Sequence, residues 1–135
     1  MNTRLLMAAS SIFLGLSGLA LNFLPREILA ASGHPSSPAL AALLQVAGCS
    51  LLGWAMLNWY ARGFVLGGIY ARPVTLGNLM HFLGAALAIG KTALAHGPAG
   101  VLLPLFLAYA LFAAAFGYLV FGRGSACVAS PDGER

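Results

Sequence analysis

VLLPLFLAYALFAAAFGYLVF, residues Val101–Phe121, is a long apolar segment without a single charged side chain. About 20 residues of α-helix, rising 1.5 Å each, cross the ~30 Å hydrocarbon core of a bilayer. Three other segments have a similar length and nearly the same character: Arg4–Leu24, Ala39–Tyr60 and Leu76–His96. The sequence therefore predicts an all-α integral membrane protein, a four-helix bundle whose four spans are joined by short loops.

The composition agrees with this class. Of the 135 residues, 60% are hydrophobic and only 7% are charged, which is too few to cover the surface of a water-soluble globule. Four spans leave room for one membrane domain, residues 1–124, and a cytoplasmic tail, 125–135, that we expect to be disordered. The length excludes a separate soluble catalytic domain. The cations are scattered at span ends, which argues against nucleic-acid binding.

The cations also predict the orientation. With four spans, both termini and the middle loop share one side, which then carries Arg4, Arg62, Arg72, Arg123 and Arg135, whereas Arg26 and Lys91 fall on the other. This excess predicts a protein of the inner (plasma) membrane with both termini in the cytoplasm. A cleaved signal peptide is an alternative interpretation of the first span. The length of its apolar run favours a retained anchor.

Local signals set several helix ends. Pro25 ends the first helix, and Ser37 with Pro38 begins the second. The residues between them, from Pro25, predict a short amphipathic turn at the interface. Residues at helical spacing line one face of each span, and on the first, third and fourth spans most of them are small, which predicts a packing face. They are Ser11, Gly15, Gly18 and Asn22; Gln45, Gly48, Cys49, Leu52, Met56 and Trp59; Gly77, His81, Gly84, Ala88 and Lys91; and Ala110, Ala113, Ala114 and Gly117.

One segment concentrates polar chemistry: NWYARGFVLGGIYARPVTLGNLMHF, Asn58–Phe82. Its candidate ligand-binding residues surround the Gly67–Gly68 pair, and they are Asn58, Arg62, Tyr70, Arg72, Asn78 and His81. Two guanidinium groups near a membrane surface bind a phosphate or carboxylate in bidentate fashion. The alternative is that Arg62 and Arg72 serve only as topological anchors of a tight loop.

The same block carries a resemblance. NWYARG, GGIYARP and LGNLMHF resemble a signature of small, functionally uncharacterised bacterial inner-membrane proteins with four helices. The resemblance implies the topology and directs attention to the polar residues of the block. It attaches no activity to them.

Two polar side chains, Gln45 and Lys91, lie within the second and third predicted spans, and His81 lies about one turn into the third. We expect Gln45 to be buried in the second helix and to hydrogen-bond a neighbouring helix. Lys91 either snorkels to the outer interface or faces a polar cavity. His81 is expected to remain hydrated, either as a structural hydrogen-bonding residue or as a proton donor or ligand.

The absence of certain residue types argues against several classes of function. No acidic residue lies in any span, although ion-coupled carriers generally use an intramembrane carboxylate. Cys49 and Cys127 form no metal-binding motif, and neither a metal nor a cofactor site of ordinary spacing can be built. No catalytic triad is present, which favours a non-enzymatic role.

The sequence thus predicts a protein that binds a lipid-like anion or a partner membrane protein through its middle loop. Membrane lipids are its expected surroundings, and a homo-oligomer is compatible with its small size. Two alternatives remain open. The first is an oligomeric pore or transporter for small solutes, lined by Lys91 and His81. The second is an enzyme that acts on a membrane-dissolved substrate with His81 as acid or base.

Overall fold

The computed structural model describes residues 2–33, 35, 37–63, 72–97 and 100–122, and these residues contain five helices and no strand. The helices are α1 (Thr3–Phe23), α2 (Pro25–Ala31), α3 (Pro38–Ala61), α4 (Arg72–His96) and α5 (Leu102–Gly122). Three sequence predictions lie outside the described residues: Tyr70, the Gly67–Gly68 turn and the 125–135 tail.

Four of the five helices, α1, α3, α4 and α5, are long and apolar enough to cross a membrane. This confirms the number of spans predicted from the sequence and indicates a multi-pass membrane protein. The helix ends follow the local signals in most places. The Ser37 side chain accepts a hydrogen bond from the Leu40 amide at 3.1 Å, and Pro38 occupies the first turn of α3.

The start of α4 differs from the prediction. The sequence placed it near Leu76, whereas the helix begins at Arg72. Proline is tolerated in a first helical turn, where its missing N–H has no intrahelical role. Pro73 therefore lies in the first turn of this helix and does not delay its start. The short segment after Pro25 is a helix, α2, with Arg26 and Glu27 exposed and Leu29 buried.

The described residues divide into two compact units, one on each side of residues 64–71. In the first unit, α1 and α3 are antiparallel and their backbones nearly touch. A Cβ atom added at Gly18 would lie 2.9 Å from the Gly48 carbonyl oxygen, and one added at Gly48 would lie 2.8 Å from the Gly18 carbonyl oxygen. Only hydrogen fits at both positions, so the two glycines permit this close approach.

The predicted packing face of α1 is confirmed. The Ser11 hydroxyl donates to the Ala55 carbonyl oxygen at 2.7 Å, and a Cβ on Gly15 would contact the Ala55 methyl group at 3.7 Å. At the far end, the Asn22 carbonyl oxygen accepts a hydrogen bond from α3. All four members of the stripe therefore face α3.

The predicted face of α3 is wrong in part, because its buried side is turned by about one residue. Met56 and Trp59 are exposed, while Ala55 and Asn58 are buried. Close approach of the two helices is favoured by small residues at the contact, and Gly48 provides one opposite Gly18 and Ala55 one opposite Gly15.

In the second unit, α4 and α5 are also antiparallel, and aromatic rings fill the space between them. Phe82 is fully buried and its ring stacks on Phe112 and Phe116, with centroid distances of 4.8 and 5.6 Å. Near the other end of α4, the Phe106 ring lies against the bare backbone of Gly90.

This arrangement corrects part of the predicted faces of the last two spans. Gly84, Ala88 and Lys91 are exposed, and an added Cβ at Gly84 would meet nothing within 4 Å. The side of α4 that packs on α5 contains Leu79 and Phe82 instead. On α5, Ala113 is buried as predicted, whereas Ala114 is exposed.

The glycine crossing can be tested by adding one methyl group. Gly18→Ala places its Cβ against the Gly48 carbonyl, so we expect a loss of about 1–3 kcal/mol in the free energy of unfolding. The measurement is denaturant unfolding in detergent micelles followed by tryptophan fluorescence, because Trp54 and Trp59 both lie in α3.

Gly53→Ala is the matched control, because it makes the same change in a long helix where an added Cβ meets nothing within 4 Å. We expect it to change stability by no more than about 0.5 kcal/mol. Equal effects of the two substitutions would contradict the close crossing.

Candidate functional site

The end of α3 carries a cation held against an aromatic ring. The guanidinium carbon of Arg62 lies 3.3 Å from the centroid of the Trp59 ring. The Arg62 amide donates to the Asn58 carbonyl oxygen at 3.1 Å, which continues the helix to this residue. Stacking occupies a face of the guanidinium group and leaves its N–H edge available to an acceptor. Trp59 and Tyr60 are both exposed beside it.

Asn58 lies one turn earlier, inside the α1–α3 pair. It is fully buried, and its Nδ2 atom donates to the Ser10 hydroxyl at 3.1 Å. The Ser10 hydroxyl in turn donates to the Met7 carbonyl oxygen at 3.0 Å. This chain of hydrogen bonds joins the end of α3 to the first turns of α1, so Asn58 positions the helix end that presents Arg62.

Arg72 and Asn78 belong to α4. Arg72 is exposed and is the first residue of the helix, whose first turn contains no acidic residue. Asn78 is fully buried, and its Nδ2 atom donates to the Val74 carbonyl oxygen of the same helix at 2.9 Å.

His81 is half-buried among aromatic rings. Its ring lies edge-on to Phe82 with centroids 5.3 Å apart, and 6.0 Å from the centroid of Tyr109. Its Nε2 atom is buried, so the prediction of a hydrated side chain is wrong for this nitrogen. Sequence analysis missed the aromatic cluster, although Tyr109, Phe112 and Phe116 recur at the three- and four-residue spacing of one helix face.

Gln45 is exposed, which corrects the prediction that it is buried. It still hydrogen-bonds the neighbouring helix, because its Nε2 atom donates to the Asn22 carbonyl oxygen at 3.2 Å. The Asn22 side-chain amide donates to the Cys49 sulfur at 3.1 Å. These contacts form a small polar cluster at the end of the α1–α3 pair away from Arg62. Lys91, the other intramembrane candidate, is exposed on α4 and lines an open groove.

The candidate residues are thus divided between the units. Asn58 and Arg62 belong to the α1–α3 unit, and Arg72, Asn78 and His81 belong to the α4–α5 unit. Within the part of the chain that the structure describes, no three His, Cys, Asp or Glu side chains are placed to share a metal ion. No family model, curated protein or solved structure matches the chain.

The Ser10–Asn58 hydrogen bond predicts a measurable coupling. In a double-mutant cycle of Ser10→Ala and Asn58→Ala, we expect about 0.6 kcal/mol of interaction energy, the average for hydrogen bonds between membrane helices. Unfolding in micelles gives the four stabilities.

The control cycle pairs Asn58→Ala with Ser17→Ala. The Ser17 hydroxyl donates to the Phe13 carbonyl oxygen within α1, so it makes no bond that the cycle would share with Asn58. We expect that coupling to be zero within error. Similar values in both cycles would show that Ser10 and Asn58 do not act as a pair.

Proposed function

We propose that this protein lies in the bacterial inner membrane with both termini in the cytoplasm. In this proposal the four spans form one bundle, and the cytoplasmic ends of α3 and α4 bind an anionic, lipid-like molecule through Arg62 and Arg72. The observation that carries the proposal is the Arg62 guanidinium group stacked on Trp59 at 3.3 Å. Arginine over an indole ring, at the end of a span, suits an anionic head group at the membrane surface.

The antiparallel helix pairs support the orientation. Since α1 and α3 are antiparallel, Arg4 and Arg62 lie at the same end of their unit, and Arg26 lies at the other. Only eight residues separate Gly63 from Arg72, far fewer than the ~20 that a span requires, so Arg72 belongs to the same side of the membrane as Arg62 in this proposal. The side of the membrane on which these arginines lie is the cytoplasmic side by the positive-inside rule.

Charge balance favours an anionic ligand. The only acidic residues of the sequence are Glu27, Asp132 and Glu134. Glu27 lies in α2, at the end of the first unit away from Arg62. The helix that begins at Arg72 also presents the positive end of its dipole at that residue. An anion bound at Arg72 therefore gains from the charge of that arginine and from the end of α4.

A second candidate is docking of a helix from a partner membrane protein. The exposed Gly84 and Ala88 on α4 favour it, because small residues allow another backbone to approach closely in a membrane. Helix–helix docking on this face does not require the arginines, so the two candidates are separable by substitution.

Titration with phosphatidylglycerol, read by native mass spectrometry, tests the arginine site. We expect Arg62→Gln and Arg72→Gln each to weaken retention of the lipid by about fivefold, because a basic residue near an anionic surface contributes about 1 kcal/mol. Arg62→Lys should give an intermediate loss, since lysine keeps the charge and loses the planar fork.

Arg26→Gln is the matched control, because it removes the same charge from the opposite end of the α1–α3 unit. Phosphatidylcholine is the control lipid. If the arginine variants retain phosphatidylglycerol like wild type and differ only in membrane orientation, Arg62 and Arg72 are topological anchors and the proposal fails.

A further inference from the structure

A groove runs along the α4–α5 unit near the end of α4 that lies away from Arg72. Its volume is about 600 Å³, which is within the range of ligand-binding pockets, and it is open on one side. Apart from one cation, its walls are apolar, and they include Leu87, Gly90, Leu94 and Phe106. The cation is Lys91, which is exposed at the groove.

Gly90 and Phe106 give the groove its shape. A Cβ atom on residue 90 would lie 2.9 Å from the Cε2 atom of Phe106, so the ring occupies the space that a side chain would need. The ring and the bare backbone that it rests on both line the groove. Leu94, which is 90% exposed, stands beside it.

The position of Lys91 along α4 matches the far surface of a bilayer. Arg72 and Lys91 are separated by nineteen residues, or about 28 Å at 1.5 Å per residue, and the hydrocarbon core is about 30 Å thick. With Arg72 at one interface, the Lys91 ammonium group reaches the head-group level of the other, while Ala86 and Leu87 of the groove, which precede Lys91 on α4, remain among the acyl chains.

Neither helix of this unit supplies an anion to Lys91. The sequences of α4 and α5 contain no aspartate or glutamate. An occupant that complements the groove must therefore combine an apolar chain with a negative charge at its end. From this charge complementarity and depth, we infer that the groove binds an anionic phospholipid, with one acyl chain against Leu87 and Phe106 and its phosphate paired with Lys91. This site is independent of the arginines, because it faces the opposite leaflet.

The test uses phosphatidylglycerol with a photoactivatable diazirine in one acyl chain, reconstituted with the full-length protein in phosphatidylcholine vesicles. Peptide mapping then locates the labelled residues. We expect labelling of α4 and α5 residues at the groove to exceed, by about fivefold, that by phosphatidylcholine carrying the same diazirine chain. Lys91→Gln should remove this preference, and Lys91→Arg should retain it.

Ala95→Phe is a second variant, because Ala95 is exposed and lines the groove one turn beyond Lys91, so an added ring occupies the space of the lipid head group without disturbing the core. It should reduce labelling by phosphatidylglycerol, whereas Ala114→Phe, an exposed position of α5 outside the groove, should not. Equal labelling by the two lipids, or a preference that survives Lys91→Gln, would overturn the inference. So would a dimer that dissociates in Ala95→Phe, because a second copy would then fill the groove.

Discussion

The contact between Gly18 and Gly48 is the constraint on which the α1–α3 unit depends. Lipid is as apolar as leucine, so membrane helices associate through close packing and hydrogen bonds and gain little from hydrophobic burial. The carbonyl oxygens at this crossing leave room only for hydrogen on the facing residue. That short distance brings Asn58 within 3.1 Å of Ser10 on one side and Gln45 within 3.2 Å of Asn22 on the other. The turn carrying Arg62 and Trp59 is therefore positioned by two glycines far from it in sequence.

Sequence patterns predicted the spans well and the packing faces poorly. The four spans are evident because about 20 apolar residues are required by the bilayer thickness. The face of α1 was also predictable, since Ser11, Gly15, Gly18 and Asn22 are all small or polar. On α3 and α4 both sides are apolar, so hydropathy gives no contrast between lipid and protein. Met56 and Trp59 were placed on the same face as Gly48 for this reason, although the close crossing leaves no space for such large side chains.

The candidate site was predictable only in part. Arginines flanking a tight loop can be recognised in any sequence, but the stacking of Arg62 on Trp59 depends on both lying on the same side of the last turn of α3. Asn58 was identified as a ligand-binding candidate because it is polar. Its burial against Ser10 depends on the helix crossing, which requires knowledge of the partner helix. Conversely, the aromatic cluster around Phe82 was missed because aromatic side chains are common in membrane spans.

Shortage of acidic residues connects the two proposed lipid contacts. A soluble protein usually neutralises a cation with a carboxylate, but α4 carries Arg72 and Lys91 with no acid in its sequence. In the proposed orientation, their separation of about 28 Å puts them at opposite surfaces of the bilayer, which would fix the depth of the helix at both ends. Each cation then needs an anion from outside the helix, and lipid phosphates are the anions present at both depths. At Lys91 the adjoining groove is apolar, so its occupant must supply an apolar chain as well as a negative charge. A phosphate attached to an acyl chain supplies both.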